Sequence, residues 1–413
     1  MRILWFTATP SGYTTNNNQY NGGGWIESAE RVVREDKEIE LAVSFNLNGQ
    51  PFKVIQNGVC YYPIADIPTS KFQYYHNLLL GNEHSERKSW DYWLEKYKCI
   101  IDDFRPDLIH IWGSESPYGL VYKITDIPIV LHIQGIMNPY MNAYLPPLVS
   151  WKEYIRQSVS LKRVKDLIAE VKLWKLSCYR EREIISGIHN YLGRTTWDER
   201  TIHVMNPSSK YFHVDEILRD SFYNNFERSL PKKLTIVTTI SNPLYKGFDL
   251  VLKSAKILKE NLKLDFEWLC YGNINPQFIE HIVGIRHDNV NVKLMGVASQ
   301  EQLVRTELNA TLYFHPSYID NSPNSLCEAQ MLGLPIVSTN VGGISSLIDD
   351  GETGYLIPSN DPYQAAYLIE KLYIDKELNI TMGKKGQDIA RKRHSKDTIK
   401  NQILAVYNTL LSR

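Results

Sequence analysis

Two carboxylates eight residues apart, Asp320 and Glu328, mark the strongest candidate site in the chain. A predicted strand that ends near His315 leads into a polar loop, and a predicted helix opens at Pro323–Asn324. The N-terminus of a helix presents unpaired N–H groups and a positive dipole end, which suit a phosphate or a sugar hydroxyl. An acid one or two turns further along can accept hydrogen bonds from a ribose diol. Alternatively, this acid only complements the helix dipole.

A lysine, Lys246, stands before Gly247 where a loop gives way to another predicted helix. An ammonium group at this place can neutralise a pyrophosphate as negative charge builds on a leaving group. The alternative is a surface lysine at the start of a helix.

Three glycines, Gly22, Gly23 and Gly24, lie between the first predicted strand and the first predicted helix. Glycines let the backbone approach a phosphate closely, although a flexible turn explains them equally well. His132 lies at the carboxyl end of a predicted strand, where ligands of doubly wound sheets bind, and a buried structural histidine is the alternative.

The elements that must position these residues form two similar halves. In each half, short β-branched runs alternate with longer amphipathic segments, which predicts parallel sheets covered by helices on both faces. We therefore expect an α/β protein with an N-terminal domain at 1–228 and a C-terminal domain at 229–395. We expect a last helix at 396–413 that can pack back on the N-terminal domain. Two Asn-Gly steps, Asn48-Gly49 and Asn57-Gly58, suggest a hairpin.

The composition excludes several classes of protein. The 413 residues are 43% hydrophobic and 22% charged, as in globular proteins, and 46 basic residues balance 46 acidic ones. Zero net charge argues against a nucleic-acid-binding protein. Five scattered cysteines, with no paired spacing, predict neither a disulfide framework nor a metal site. No signal peptide or membrane-spanning run is recognisable, so the expected location is the cytoplasm.

The block from Tyr318 to Gly343 resembles the signature of retaining glycosyltransferases of family 4, the glycosyl transferases group 1 family. The matching positions are Pro323, Asn324, Glu328, Ala329, Gly333, Pro335, Gly342 and Gly343. The resemblance implies two Rossmann-like, doubly wound domains that face each other across a cleft, the GT-B arrangement. It also implies that Glu328 binds the ribose of a nucleotide sugar.

The resemblance assigns roles to further residues. The loop that contacts the donor sugar and the diphosphate comprises Asp320, Asn321, Ser322, Asn324 and Ser325. Lys246, Asp320 and His132 are the implied catalytic residues, and Gly23 and Gly24 face the diphosphate. Backbone at Gly272 and Val297 brackets the base. On weaker grounds, Glu115 and Tyr118 line the acceptor side.

Four positions depart from the family pattern, and two of them, Asn321 and Ser322, stand where the family has glycine and phenylalanine in the donor-sugar loop. Asp320 replaces the usual glutamate, which shortens the reach of the carboxylate by one methylene. Ser241 replaces an arginine that usually stands five residues before the lysine, so either another base completes the phosphate clamp, with Arg194 a candidate, or the donor is held differently.

The function implied is transfer of a sugar, with retention, from a UDP- or GDP-linked donor to a hydroxyl of a glycan or lipid-linked oligosaccharide. Cell-surface polysaccharide biosynthesis is the expected setting, without metal or cofactor. A nucleotide-sugar epimerase, a sugar phosphorylase and a non-catalytic nucleotide-sugar-binding protein are the alternatives.

The segment 151–182 is predicted to be helical and contains nine Lys/Arg against four Asp/Glu. Its tryptophans and lysines favour either peripheral contact with an anionic membrane or an ordinary solvated pair of helices.

Overall fold

The computed structural model describes residues 1–14, 24–67, 81–147, 149–156, 161–241 and 244–412. The chain folds as two compact units. The first comprises Met1–Met141, Ser158–Ile217 and Ser395–Arg413, and the second comprises Asn142–Gln157 and Leu218–His394. Gly22 and Gly23 lie outside the described residues, and Gly24 is the first residue of a helix.

The first unit is built on a mostly parallel sheet. Its described strands are β1 (Arg2–Phe6), β2 (Glu40–Asn46), β3 (Val54–Gln56), β4 (Val59–Ile64), β5 (Leu108–Trp112), β6 (Ile129–His132), β7 (Asn190–Gly193) and β8 (Lys210–His213). They lie in the order β3-β4-β2-β1-β5-β6-β7-β8, and only the β3–β4 pair among these described strands is antiparallel. The antiparallel pair turns at Asn57-Gly58, both with positive φ, so the hairpin prediction is confirmed for this step. It is wrong for Asn48-Gly49, because the strands on either side of this step, β2 and β3, are not neighbours in the sheet.

Six described helices lie in the first half of the chain, and one of them, Trp151–Arg156, belongs to the second compact unit. They are α1 (Gly24–Arg34), α2 (Glu83–Phe104), α3 (Met137–Asn142), α4 (Trp151–Arg156), α5 (Leu161–Gly187) and α6 (Thr196–Met205). The predicted helical segment 151–182 thus corresponds to α4 and most of α5, with residues 157–160 outside the described residues.

The second unit is built on a fully parallel sheet. Its described strands are β9 (Leu234–Thr239), β10 (Phe266–Tyr271), β11 (Val292–Gly296), β12 (Leu312–His315), β13 (Ile336–Thr339) and β14 (Gly354–Ile357). They lie in the order β11-β10-β9-β12-β13-β14, the strand order of a doubly wound dinucleotide-type sheet.

The helices of the second half separate these strands or follow them. They are α7 (Phe248–Glu260), α8 (Gln277–Val283), α9 (Gln300–Leu308), α10 (Asn324–Met331), α11 (Pro362–Ile374), α12 (Lys376–Arg393) and α13 (Lys396–Leu411). Strand β9 is buried on both faces of the sheet. Leu234 and Ile236 lie in one apolar cluster, and Val237 lies in another. The sequence-based expectation of two doubly wound α/β domains is therefore confirmed.

The compact units divide between Ile217 and Leu218, earlier than the boundary predicted after residue 228. Loss of hydrophobic periodicity near 223–233 suggested a linker there. Instead, Leu218 and Phe222 are fully buried in a core cluster of the second unit. Arg228 donates hydrogen bonds to the carbonyl oxygens of Gly333 and Thr311. The C-terminal helix α13 belongs to the first unit.

The hydroxyl group of Tyr407, on α13, forms hydrogen bonds with two buried aromatic side chains of the first sheet. The indole Nε1 of Trp5 lies 3.0 Å from the Tyr407 hydroxyl, and Nδ1 of His110 lies 2.6 Å from it. Because an indole N–H can only donate, the tyrosine oxygen accepts the hydrogen bond from Trp5, and the same hydroxyl forms a hydrogen bond with His110 Nδ1. Burial lowers the pKa of His110 to about 3, so this imidazole is neutral. His110 stacks on Trp112, which stacks on His132.

Replacing Tyr407 by Phe tests this arrangement. The change leaves Trp5 Nε1 and His110 Nδ1 buried without their partner, and each such group costs about 1–3 kcal/mol. We expect a lower urea midpoint than for the wild type. Tyr363→Phe on α11 is the matched control, because Tyr363 is 70% exposed. Equal midpoints for the two variants would show that the Tyr407 hydroxyl contributes nothing to stability.

Candidate functional site

The loop between β12 and α10 brings the predicted site residues of the second unit together. Helix α10 begins after Pro323, which supplies no side-chain cap, so N–H groups of its first turn face outward from the helix end. Asn321 and Ser322 are buried in this loop. The Ser325 hydroxyl accepts a hydrogen bond from Tyr313 at 2.9 Å. The buried Oδ1 of Asn324 has no hydrogen-bond partner among the described residues.

Two glycines explain why the backbone of Asp320 lies where it does. Gly343 donates its N–H to the Asp320 carbonyl oxygen at 2.9 Å. Gly342 has φ +53°, and a Cβ on it would lie 1.9 Å from the same oxygen. The Gly-Gly pair at the end of the signature block therefore permits the close approach of the two loops.

Lys246 and Asp320 form a buried ion pair. Lysine Nζ lies 2.6 Å from Asp320 Oδ2, and the side chains are 21% and 9% exposed. Gly247, with φ +80°, lets this loop reach the end of β12, since a Cβ on it would lie 2.0 Å from the Pro316 carbonyl oxygen. His315 Nε2 is 3.2 Å from the same Asp320 oxygen. In the sequence His315 marks only the end of a predicted strand, so this contact with Asp320 is not predicted.

Electrostatics keep both partners of this pair charged. Burial alone would raise the pKa of Asp320, but Lys246 and His315 hold it well below its ordinary range. Burial alone would lower the pKa of Lys246, but the charge of Asp320 outweighs it and the pKa is raised. The lysine thus presents a permanent positive charge that Asp320 already balances.

Glu328 forms a second buried ion pair, with Arg219. The guanidinium Nε and Nη2 each lie 2.6 Å from one carboxylate oxygen. Arg219 precedes Glu328 by 109 residues, so no local motif pointed to it. Burial raises the pKa of Glu328, and Arg219 opposes that rise.

Other predicted residues lie at the carboxyl edge of the same sheet. Gly272 follows β10 with φ +124°, and a Cβ on it would lie 1.9 Å from the Ile240 carbonyl oxygen. Val297 follows β11 and is 64% exposed. Ser241 follows β9 and is also exposed. Strand ends of a doubly wound sheet are where ligands bind, so these positions agree with one binding edge.

Arg194 and His132 lie in the first unit. Arg194 is buried, forms an ion pair with Glu216, and donates to the carbonyl oxygens of Ile133 and Gln134. Its charge is therefore matched inside the first unit. His132 is 1% exposed and stacks on Trp112, and neither of its ring nitrogens has a hydrogen-bond partner among the described residues.

Glu115 and Tyr118 have different environments in this unit. Tyr118 is buried beside Phe6 and donates to Asn46 Oδ1, which places it in the core. Glu115 is half-buried in the loop after β5, and its Oε1 accepts the Gly135 N–H at 2.9 Å. Burial is the main cause that raises its pKa to about 7.

Comparison with known proteins identifies the family. The model of the family described as glycosyl transferases group 1 matches residues 223–389. The D-inositol 3-phosphate glycosyltransferase of Corynebacterium efficiens is 32% identical over 295 residues, which are 69% of this chain and 67% of that protein. The chain belongs to the glycosyl transferases group 1 family.

Other relatives of this family match over shorter stretches. The capsular polysaccharide biosynthesis glycosyltransferase CapM of Staphylococcus aureus is 32% identical over 25% of this chain and 27% of its own length. The N-acetyl-alpha-D-glucosaminyl L-malate synthase of Bacillus anthracis is 26% identical over 49% of this chain and 53% of its own. The chain thus spans about a quarter to a half of the length of these two relatives.

Solved structures show the fold of the family. Sucrose-phosphate synthase from Thermosynechococcus elongatus superposes with a TM-score of 0.71 at 15% identity, covering 100% of this chain and 99% of that one. Anabaena HepE, in complex with UDP and glucose, gives 0.64 at 13% identity, covering 99% and 100%. These neighbours are GT-B glycosyltransferases, and the two parallel-sheet units are of that class.

The described residues contain no group of three or more His, Cys, Asp and Glu side chains arranged to hold a metal ion. None of the described helices combines the length and apolar character needed to span a membrane.

Replacing Glu115 by Gln should have an effect on stability that depends on pH. The folded-state pKa of about 7 lies above the ordinary value of 4.5, so the wild type loses stability as pH rises between these values. The amide removes the cost of ionisation. We expect the variant to melt above the wild type at pH 8 and close to it at pH 5. An equal difference at both pH values would contradict the assignment.

Proposed function

We propose that this chain is a retaining glycosyltransferase that moves a sugar from a nucleotide-diphosphate donor to a hydroxyl of a glycan or lipid-linked acceptor. The observation that carries the proposal is the Lys246–Asp320 pair beside the open N-terminus of α10, with Glu328 in the same helix. This arrangement offers a cation and helix N–H groups to a diphosphate, and a carboxylate to a ribose.

In the proposed reaction, the bond between the sugar C1 and the diphosphate oxygen breaks as a bond from C1 to the acceptor oxygen forms. Lys246 and the N–H groups of α10 stabilise the negative charge that develops on the departing diphosphate. Both bonds involve the same face of the sugar, and the departing phosphate takes the acceptor proton. The configuration at C1 is therefore retained. This scheme uses no metal and no cofactor, so transfer should persist in excess chelator.

The comparisons with known proteins support both the proposed class of donor and the proposed place in polysaccharide biosynthesis. The HepE structure is described as containing UDP and glucose, which supports a UDP-linked donor here, with GDP as the alternative. CapM of Staphylococcus aureus and AmsK of Erwinia amylovora are described as capsular polysaccharide and amylovoran biosynthesis glycosyltransferases. We therefore place the chain in cell-surface polysaccharide biosynthesis.

A transfer assay tests the proposal, after a thermal-shift panel of UDP, GDP, ADP and CMP has identified the nucleotide that stabilises the chain. Lys246→Ala and Glu328→Gln should each lower transfer by about two orders of magnitude, because each removes a preorganised charge. Lys253→Ala is the control, since Lys253 forms a comparably buried pair with Asp249 at 2.8 Å. Wild-type transfer in both site variants would overturn the assignment of the site.

We also propose that the first half of α5 contacts an anionic membrane surface. Ile168 and Leu173 are each 48% exposed there, and Lys165, Lys172 and Lys175 lie on the same helix. Exposed apolar groups with interspersed lysines are typical of helices that lie on lipid headgroups. Such a contact would bring the chain to a lipid-linked acceptor.

Vesicle flotation tests this contact. At low salt the wild type should float with vesicles that contain an anionic lipid and not with neutral ones, because each lysine near the surface contributes about 1 kcal/mol. Reversing Lys165, Lys172 and Lys175 to Glu should abolish flotation. The matched control reverses three lysines of α12, Lys376, Lys385 and Lys392. Failure of the wild type to float would reject the membrane contact and leave the transferase proposal standing.

A further inference from the structure

Glu328 is held by an arginine in a geometry that fixes its whole carboxylate plane. Arg219 contacts both oxygens through Nε and Nη2, each at 2.6 Å. A contact through two parallel N–H···O bonds determines the rotation of the carboxylate as well as its position. The side chains are 18% and 3% exposed, so the pair lies largely out of water.

The surroundings of this pair make the arginine necessary for an ionised Glu328. Glu307 of α9 is also buried, and one of its carboxylate oxygens, Oε2, has no hydrogen-bond partner among the described residues. Burial and the charge of Glu328 raise the pKa of Glu307 well above its ordinary range. Of these two buried carboxyl groups, Glu328 is the one that contacts the guanidinium, and the positive charge of Arg219 opposes the effect of burial on its pKa.

The contact leaves Glu328 able to bind a ligand. A carboxylate has about four acceptor positions on its two oxygens. The side chain of Arg219 uses one position on each oxygen, and its backbone N–H also faces this carboxylate. At least one acceptor position therefore remains, and a hydroxyl of a neighbouring pair, such as that of a ribose, can donate to the oriented carboxylate.

We propose that Arg219 is a positioning residue that orients the Glu328 carboxylate toward the 2′- and 3′-hydroxyl groups of the donor nucleotide. The inference rests on the proposed function, since it requires that Glu328 receive a ribose. It adds a residue outside the signature block, and it predicts that the preference for ribose over deoxyribose depends on Arg219.

Isothermal titration with UDP and GDP, and with their 2′-deoxy analogues, measures that preference directly. The wild type should bind the better ribonucleotide about tenfold or more tightly than its deoxy analogue, because a hydrogen bond to a charged acceptor is lost. In Arg219→Gln this ratio should fall close to one. Arg219→Lys keeps a positive charge without the two-pronged contact and should give an intermediate ratio.

Arg228→Gln is the matched control. Arg228 lies in the same unit and donates to the carbonyl oxygens of Gly333, Ala310 and Thr311 rather than to a carboxylate. Arg228→Gln should lose only structural contacts. Its melting temperature should therefore fall, while its preference for ribose over deoxyribose should stay as in the wild type. Should Arg219→Gln fail to fold, the ratio for Arg219→Lys decides the question.

The outcomes separate the two proposals. A wild-type protein that binds no nucleoside diphosphate overturns the proposed function and, with it, the role of Arg219. A wild-type preference for ribose that persists unchanged in the Arg219 variants overturns the positioning role alone. Loss of the preference in the Arg219 variants, with the Arg228 control unchanged, supports both.

Discussion

The structure of the candidate site depends on one constraint: charges that leave water must be paired. Lys246 and Asp320 satisfy it at 2.6 Å, and removal of either partner would leave an uncompensated buried charge. The pairing requires two loops to approach the end of β12 more closely than a Cβ would allow. Gly247 and Gly342 permit that approach. These two glycines therefore allow the buried ion pair to form, in addition to allowing the chain to turn.

Local sequence patterns were sufficient to predict the elements that carry the site. Runs such as Leu234–Thr239 are apolar on both faces, and this pattern is typical of a parallel strand covered by helices. The start of α10 at Asn324 also followed from the sequence, because a proline and polar residues precede it. Alternating strands and helices predict a doubly wound sheet, and the second unit has the strand order of one.

Partners distant in the sequence could not be predicted in this way. Arg219 and Glu328 are 109 residues apart, and Lys246 and Asp320 are 74 apart. No periodicity or spacing links such residues, since only the folded sheet brings their loops together. For the same reason, the sequence predicts the boundary after residue 228 while the compact units divide before Leu218, because tertiary burial decides where one unit ends.

The balance of charge limits how a diphosphate can be accommodated. Lys246 and Arg219 are positive, Asp320 and Glu328 are negative, and these four groups sum to zero. In the proposed reaction, with Ser241 where the family pattern has an arginine, the diphosphate would share the ammonium group with Asp320 or displace that carboxylate from it. The N-terminal N–H groups of α10 then supply the remaining positive potential, which equals roughly half an elementary charge. Asp320 reaches one methylene less far than a glutamate would. In the proposed reaction, the position of its carboxylate would therefore determine how much of the lysine charge the donor receives.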